Sequence, residues 1–219
     1  MVHLKHYIVS LGLIAKILGD AAPVATDSVG KPNYIATFKT PNFANSSSIT
    51  GTFEFEADKD GKVHVYIDIN NLPTTGGPFM YHIHQKPVPA NGNCTGTLAH
   101  LNPYGGLANA TTIATHEVGD LSGKHGTING TSFKSNNVDE YLSLNPENRA
   151  YIGNVSVVIH AANNARLACA NITVDSAHSG SNSSNATSSA IRTSSESTGA
   201  AAITGFSSAL LAVVIGLLL

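Results

Sequence analysis

Between Val63 and Ile69 the chain alternates without a break: Val63, Val65, Ile67 and Ile69 are apolar, while His64, Tyr66 and Asp68 carry polar groups. A side-chain period of two sends each set to its own face of a β-strand, one towards a core and one towards water. Thr52-Phe53-Glu54-Phe55-Glu56 alternates in the same way, and Asp58-Lys59-Asp60-Gly61 between the two runs has the composition of a hairpin turn. Tyr81 to His84, Tyr151 to His160 and Leu167 to Val174 also read as strands. No stretch of the middle region sustains an apolar period of 3.6, so helix is minor. Short strands joined by Gly-, Asn- and Pro-rich connections predict an all-β fold, an antiparallel Greek-key β-sandwich or barrel. The segment from Gly92 to Lys124 is poor in strand signal, and loops of that length within a compact domain are usually functional.

The two ends differ in composition from this middle. His3, Lys5 and His6 precede an apolar run from Tyr7 to Leu18, broken only by Ser10 and Lys16, and small residues follow to Ala25, the pattern of a secretory leader over 1-25. At the other end the apolar tail from Ala209 to Leu219 falls short of the ~20 residues that a bilayer span needs. With the small residues Ser197, Thr198, Gly199 and Ala200 ahead of it, the tail over 200-219 reads as a GPI-anchor signal. Residues 176-199 are dominated by Ser, Thr, Asn, Gly and Ala, which cannot bury enough apolar surface to offset ordering, and so read as a disordered, O-glycosylated stalk. One domain is expected over 26-175.

Eight Asn-x-Ser/Thr sequons, at Asn45, Asn93, Asn109, Asn129, Asn154, Asn171, Asn182 and Asn185, fit passage through the secretory pathway. In that oxidising compartment a bridge is the default for the two cysteines, Cys94 and Cys169. Closing the 75-residue separation between them is worth about 4 kcal/mol in the chain-entropy picture. A net charge of −2 gives no support to nucleic acid as a partner.

Four histidines stand out. His82 and His84 lie two apart on an expected strand, so both project from one wall, and His100 and His160 complete a set of imidazoles suited to copper, zinc, nickel or iron. Further histidines, His64, His125 and His178, read as solvated.

Tyr81-His82-Ile83-His84, Cys94-x5-His100 with Leu101-Asn102-Pro103, Val118-Gly119-Asp120-Leu121, Val157-Val158-Ile159-His160 and Arg166-Leu167-Ala168-Cys169 together resemble the ordered signature of the copper/zinc superoxide dismutases, over about Thr50 to Val174. The resemblance implies that His82, His84, His100 and His160 are copper ligands, that Cys94 and Cys169 form the intrachain disulfide, and that Arg166 attracts and positions the superoxide anion.

Two departures from the zinc-containing members set the expected subclass. Glu117 stands directly before Val-Gly-Asp where those members carry a histidine zinc ligand, and Leu101 to Thr115 contains no histidine. His116 is displaced by one position from that register, and Asp120 alone resembles a remaining zinc ligand. A structural zinc site wants four donors. Only Ala161 to Ala165 separate His160 from Arg166, where the zinc-containing members have a long charged loop, so the site should be open. Both departures resemble the extracellular copper-only superoxide dismutases of fungi, with one copper per chain and no zinc.

That resemblance implies an enzyme converting superoxide to dioxygen and hydrogen peroxide, a monomer tethered to the membrane or cell wall through its GPI anchor and protecting against oxidative attack. His100 would release and take up a proton during turnover, Glu117 would orient it in place of zinc, and Asp120 would support the loop. The readings from other classes are a non-catalytic cell-surface copper-binding module and an adhesin on an inherited sandwich.

Overall fold

A computed structural model of the chain describes residues 20-39 and 48-177. The bulk of the expected leader and stalk, the anchor signal, the sequons at Asn45, Asn182 and Asn185, and His178 lie outside the described residues. Seven strands form one antiparallel sheet: β1 Tyr34–Phe38, β2 Thr50–Ala57, β3 Val63–Asn70, β4 Met80–His84, β5 Phe133–Asp139, β6 Ser156–His160 and β7 Arg166–Val174. Their spatial order is β4-β6-β7-β1-β2-β3-β5, so the chain crosses between the two edges after β3, after β4 and after β5. Among the described residues helix is limited to α1, Leu121–His125, and two single 3-10 turns.

The alternating runs make the β2–β3 hairpin, in register from Thr50↔Asn70 to Ala57↔Val63. Asp58 closes its turn, with Oδ1 accepting from the N–H groups of Asp60 (2.8 Å) and Lys62 (2.9 Å). Phe53, Phe55, Val65 and Ile69 are fully buried. Tyr81 on edge strand β4 packs against Phe53 on β2 and Phe133 on β5, with ring centroids 5.7 and 5.9 Å apart. The sheet therefore curls until its two edges share one core, where each such side chain contributes roughly 1.5–3 kcal/mol.

The same period of two divides β4 and β6 between core and outer face. Tyr81, Ile83, Val157 and Ile159 enter the core. Met80 pairs with His160 and His82 with Val158, which leaves His82, His84 and His160 together on the outer face.

The free edge of β4 is covered by loop backbone, which removes an exposed template for strand pairing. Ser122 Oγ accepts from the Tyr81 N–H (2.5 Å) and donates to the Tyr81 carbonyl (3.0 Å). Ile83 N–H donates to Gly119 O (2.8 Å), Leu101 N–H to Ile83 O (2.8 Å), and Gly119 N–H to Leu101 O (2.7 Å). A β-carbon on Gly119 would run into the Ile83 carbonyl and the Leu101 nitrogen, so this three-way clamp accepts only glycine.

A buried ion pair holds α1 down. Lys124 Nζ lies 2.6 Å from Asp139 Oδ2, with the two side chains 1% and 0% exposed, and also donates to Val118 O at 2.7 Å. Burial alone would raise the Asp139 carboxyl, but the Lys124 charge and the His125 contact outweigh it and hold Asp139 below the usual carboxylate range. His125 is therefore not solvated as its sequence context suggested: its Nε2 sits 2.9 Å from Asp139 Oδ2 and its side chain is 11% exposed.

Residues 20-33 wrap the sheet as a strap. Ala22 and Ala25 are buried and donate backbone N–H groups to Ala114 O and Glu140 O, both at 2.7 Å. Asp27 accepts from Ser143 Oγ (2.7 Å), Asn145 Nδ2 (3.1 Å) and Asn148 Nδ2 (3.0 Å). The boundary expected after residue 25 falls inside this packed segment. The sequence pattern also missed β1 and β5, and only the second half of Tyr151 to His160 is strand, from Ser156. β5, Phe-Lys-Ser-Asn-Asn-Val-Asp, is a half-buried edge strand poor in the residue types that mark strands, and pairing with β3 decides it.

Removing the charge that compensates Lys124 should be costly. Asp139→Asn is expected to lower unfolding stability by about 3–5 kcal/mol, because it strands a buried ammonium; denaturant unfolding of the variant against the parent measures it.

Candidate metal centre

The four histidines reach one point by different routes. His82 and His84 come from β4, and His160 from the end of β6 beside a bulge at Ile159/His160. His100 comes from the loop, where it bridges to His84. One ring nitrogen from each lies within 4.8 Å of all the others.

The remaining ring nitrogens fix the tautomers, because each faces a group that only accepts. His84 Nδ1 donates to Leu98 O (2.8 Å) and His160 Nδ1 to Asn164 O (3.2 Å). His100 Nδ1 donates to Glu117 Oε2 (2.5 Å), and His82 Nε2 points at Asp120 Oδ1 (3.4 Å). Three Nε2 lone pairs and the Nδ1 of His82 are left converging. His84 Nε2 and His160 Nε2 stand 3.1 Å apart with no proton between them, and His82 Nδ1 is buried without a hydrogen-bond partner. Buried lone pairs aimed at one another are costly unless a cation joins them, so the donor set fits a nitrogen-liking metal such as copper.

The electrostatics prepare the rings for ligation. Burial holds His82 below its ordinary value and pushes His84 down to about 3 and His160 down to about 4, so these imidazoles are neutral at pH 7. Asp120 would be raised by burial, but the His82 contact, the Gly123 N–H (2.7 Å) and His116 Nδ1 (3.0 Å) hold it well below the carboxylate range. Asp120 is also the N-cap of α1, so the Lys124–Asp139 anchor and the His82 contact share one short element.

Two links were beyond sequence reasoning. Asp120 touches His82 directly as well as serving its loop, and Asn102 donates from Nδ2 to Glu117 Oε1 at 3.2 Å. Asn102 lies in the quoted Leu101-Asn102-Pro103 motif, yet nothing in the linear order indicates what its amide would meet.

Arg166 opens β7 directly opposite His160. Its guanidinium donates from NH1 to Cys94 O and to Thr97 Oγ1 (2.8 Å), and from NH2 to Leu98 O (2.5 Å). The same segment is bonded to β7 through Cys94–Cys169, 75 residues apart in sequence, with Val88 and Val158 packed around the bridge. A pocket of about 390 Å³ opens over the imidazoles, lined also by Ala99, Ala108, Glu117, Asn164 and Arg166. The connection from His160 to Arg166 is a tight turn, with Ala161 N–H donating to Ala165 O at 2.9 Å. A cation held by four nitrogens beside a fixed guanidinium can bind a small anion and exchange electrons with it.

Residues 49–186 match the family described as copper/zinc superoxide dismutase (SODC). The chain is 50% identical over 167 residues to the cell surface Cu-only superoxide dismutase 5 of Candida albicans, covering 76% of this chain and 72% of that protein. It is 46% identical over 167 residues to the cell surface superoxide dismutase [Cu-Zn] 4 of the same organism, covering 76% and 71%. The solved structure of Candida albicans superoxide dismutase 5 in its Cu(II) form is similar with a TM-score of 0.65 and 49% identity, over 70% of this chain and 99% of that one.

The depressed histidines link metal-free stability to pH. Between about pH 6.5 and pH 4 the unfolded chain binds protons at His84 and His160 that the folded chain refuses, so lowering pH through that window favours unfolding. Each such histidine adds a slope of up to ~1.4 kcal/mol per pH unit. Melting of the apoprotein should show stability falling from pH 6.5 towards pH 4, and the slope should shrink in His160→Leu.

Proposed function

The chain belongs to the copper/zinc superoxide dismutase family, and on that premise we propose a single-copper site without zinc, held by His82, His84, His100 and His160. The protein is an extracellular, cell-surface superoxide dismutase. The observation that carries the site assignment is the convergence of four imidazole lone pairs, one of them the buried and unpartnered Nδ1 of His82.

Copper, when bound, supplies the alternating one-electron reduction and oxidation that turns two superoxide anions into dioxygen and hydrogen peroxide. Arg166, with three backbone or hydroxyl acceptors fixing its plane, presents a positive charge at the pocket wall and draws the anion in. His100 is the ligand on the loop; its Nε2 would hold copper and, when not engaged with it, would carry one of the two protons that hydrogen peroxide requires, the second coming from water that reaches the open pocket. Glu117 holds His100 at Nδ1 and fixes its tautomer, the task a zinc ion would otherwise perform. Asp120 does the same for His82 while its second oxygen receives His116. Support for a copper-only site comes from this engagement: both oxygens of Glu117 and of Asp120, and Nδ1 of His116, already have partners within the protein.

The remaining elements of the proposal are secretion with removal of a leader, a Ser/Thr-rich stalk, a GPI anchor to the membrane or cell wall, a monomeric state and a protective role against oxidative attack. The Ala22 N–H contact to Ala114 argues for leader cleavage N-terminal to Ala22. Asn93, Asn109, Asn129, Asn154 and Asn171 are exposed and open to glycosylation.

The deciding experiment is superoxide consumption by the copper-loaded protein with metal analysis after dialysis against chelator. About one copper per chain and rapid turnover are expected; an equivalent of retained zinc would overturn the copper-only assignment, and copper bound without turnover would leave a storage module. Arg166→Glu should lower the rate about 10-fold or more at low ionic strength while copper stays bound, since steering contributes on that scale. Glu117→Ala should weaken Cu(II) binding and turnover by ~10–100-fold and leave Cu(I) binding intact.

A further inference from the structure

Asn102 spends every polar atom of its side chain in one place. Oδ1 accepts from the Gly106 N–H (2.7 Å), and Nδ2 donates one hydrogen to Gly106 O (2.9 Å) and the other to Glu117 Oε1 (3.2 Å). The amide cannot sit the other way round, because its oxygen would then face a carbonyl and a carboxylate, both acceptors. Glu117 consequently has both oxygens engaged, Oε1 by Asn102 and Oε2 by His100. A carboxylate held at one oxygen can rotate about its last bond; held at both, it presents Oε2 in a single orientation.

The turn that Asn102 closes is itself braced. A β-carbon on Gly106 would strike the His116 carbonyl and the Glu117 nitrogen, so the turn lies flat against the backbone that carries Glu117. Arg149 stacks over Tyr104 at 4.7 Å and donates to the Pro103 carbonyl. The amide thus has a rigid base from which to aim.

We propose that Asn102 is a positioning residue for His100, acting through Glu117: its amide locks the carboxylate that holds the loop histidine against the metal. The proposal rests on the reading that Glu117 orients His100. Asn102 makes no contact with metal or substrate; it stiffens the group that does the orienting, and so takes over part of what a second metal ion would do.

The test uses the protein loaded with copper, the Asn102→Ala and Glu117→Ala variants and their combination. Cu(II) and Cu(I) affinities are read by chelator competition, and the coordination by the Cu(II) EPR spectrum. Asn102→Ala is expected to weaken Cu(II) binding ~10-fold and shift the EPR spectrum towards that of Glu117→Ala, with Cu(I) affinity changed less than about 2-fold. In the Glu117→Ala background the Asn102 substitution should cost nothing further, because the two act in series. Equal losses for both oxidation states, or losses that add in the double variant, would make Asn102 a turn staple alone and overturn the proposal. An unshifted Cu(II) spectrum in Asn102→Ala overturns it too. If Glu117→Ala itself leaves Cu(II) binding unchanged, the orienting role of Glu117 has failed, and the proposal falls with it by a distinguishable route. Should Asn102→Ala not fold, Asn102→Asp retains the acceptor for the Gly106 N–H and is read against the same outcomes.

Discussion

Ile83 gives its N–H to Gly119 and its carbonyl to Leu101, and those two bonds bring the loop onto the sheet. Leu101 follows His100, and Gly119 lies two residues after Glu117, so one backbone clamp sets both over His82 and His84. The Ile83 side chain points the opposite way, into the core, and is fully buried. The strand that anchors the core is therefore also the rail on which the site is assembled, and displacing the loop would cost backbone hydrogen bonds at a covered sheet edge.

Around this clamp the loop is tied at three further points of different chemistry. The disulfide joins its start to β7, Arg166 holds the carbonyls of Cys94 and Leu98, and the Lys124–Asp139 pair holds its end against β5. Each tie serves the site as well as the fold. The disulfide and Arg166 fix Leu98, whose carbonyl sets the tautomer of His84, and the ion pair fixes α1, whose N-cap Asp120 sets that of His82. Rigidity is what makes four imidazoles in mutual contact tolerable, since a looser site would let their lone pairs turn away from one another.

Negative and neutral groups divide the work around the metal. Three of the four imidazoles are kept neutral by burial, while the carboxylates stand one layer behind, each fixed by its own donors: Gly123 and His116 at Asp120, Asn102 at Glu117. Charge is thereby held where it can steady a ligand without competing for the metal. Arg166 carries a permanent positive charge into the lining of the pocket.

Much of this was legible in the linear order wherever a short-range rule applied. Alternation marked β2 and β3 and predicted that His82 and His84 would share a face, and ordered motifs marked the donor set. β1 and β5 escaped because a short run and an Asn-rich run become strands only by pairing with neighbours. His125 was misread because its partner Asp139 is fourteen positions away and buried. The sequence by itself determined the residue types and the period of two, hence the all-β architecture and which side chains could bind a metal. Only the tertiary structure decided which carboxylate meets which histidine, that Asn102 braces Glu117, and that residues 20-25 pack on the domain, because these contacts join loops whose mutual approach follows from sheet curl and edge covering rather than from any local pattern.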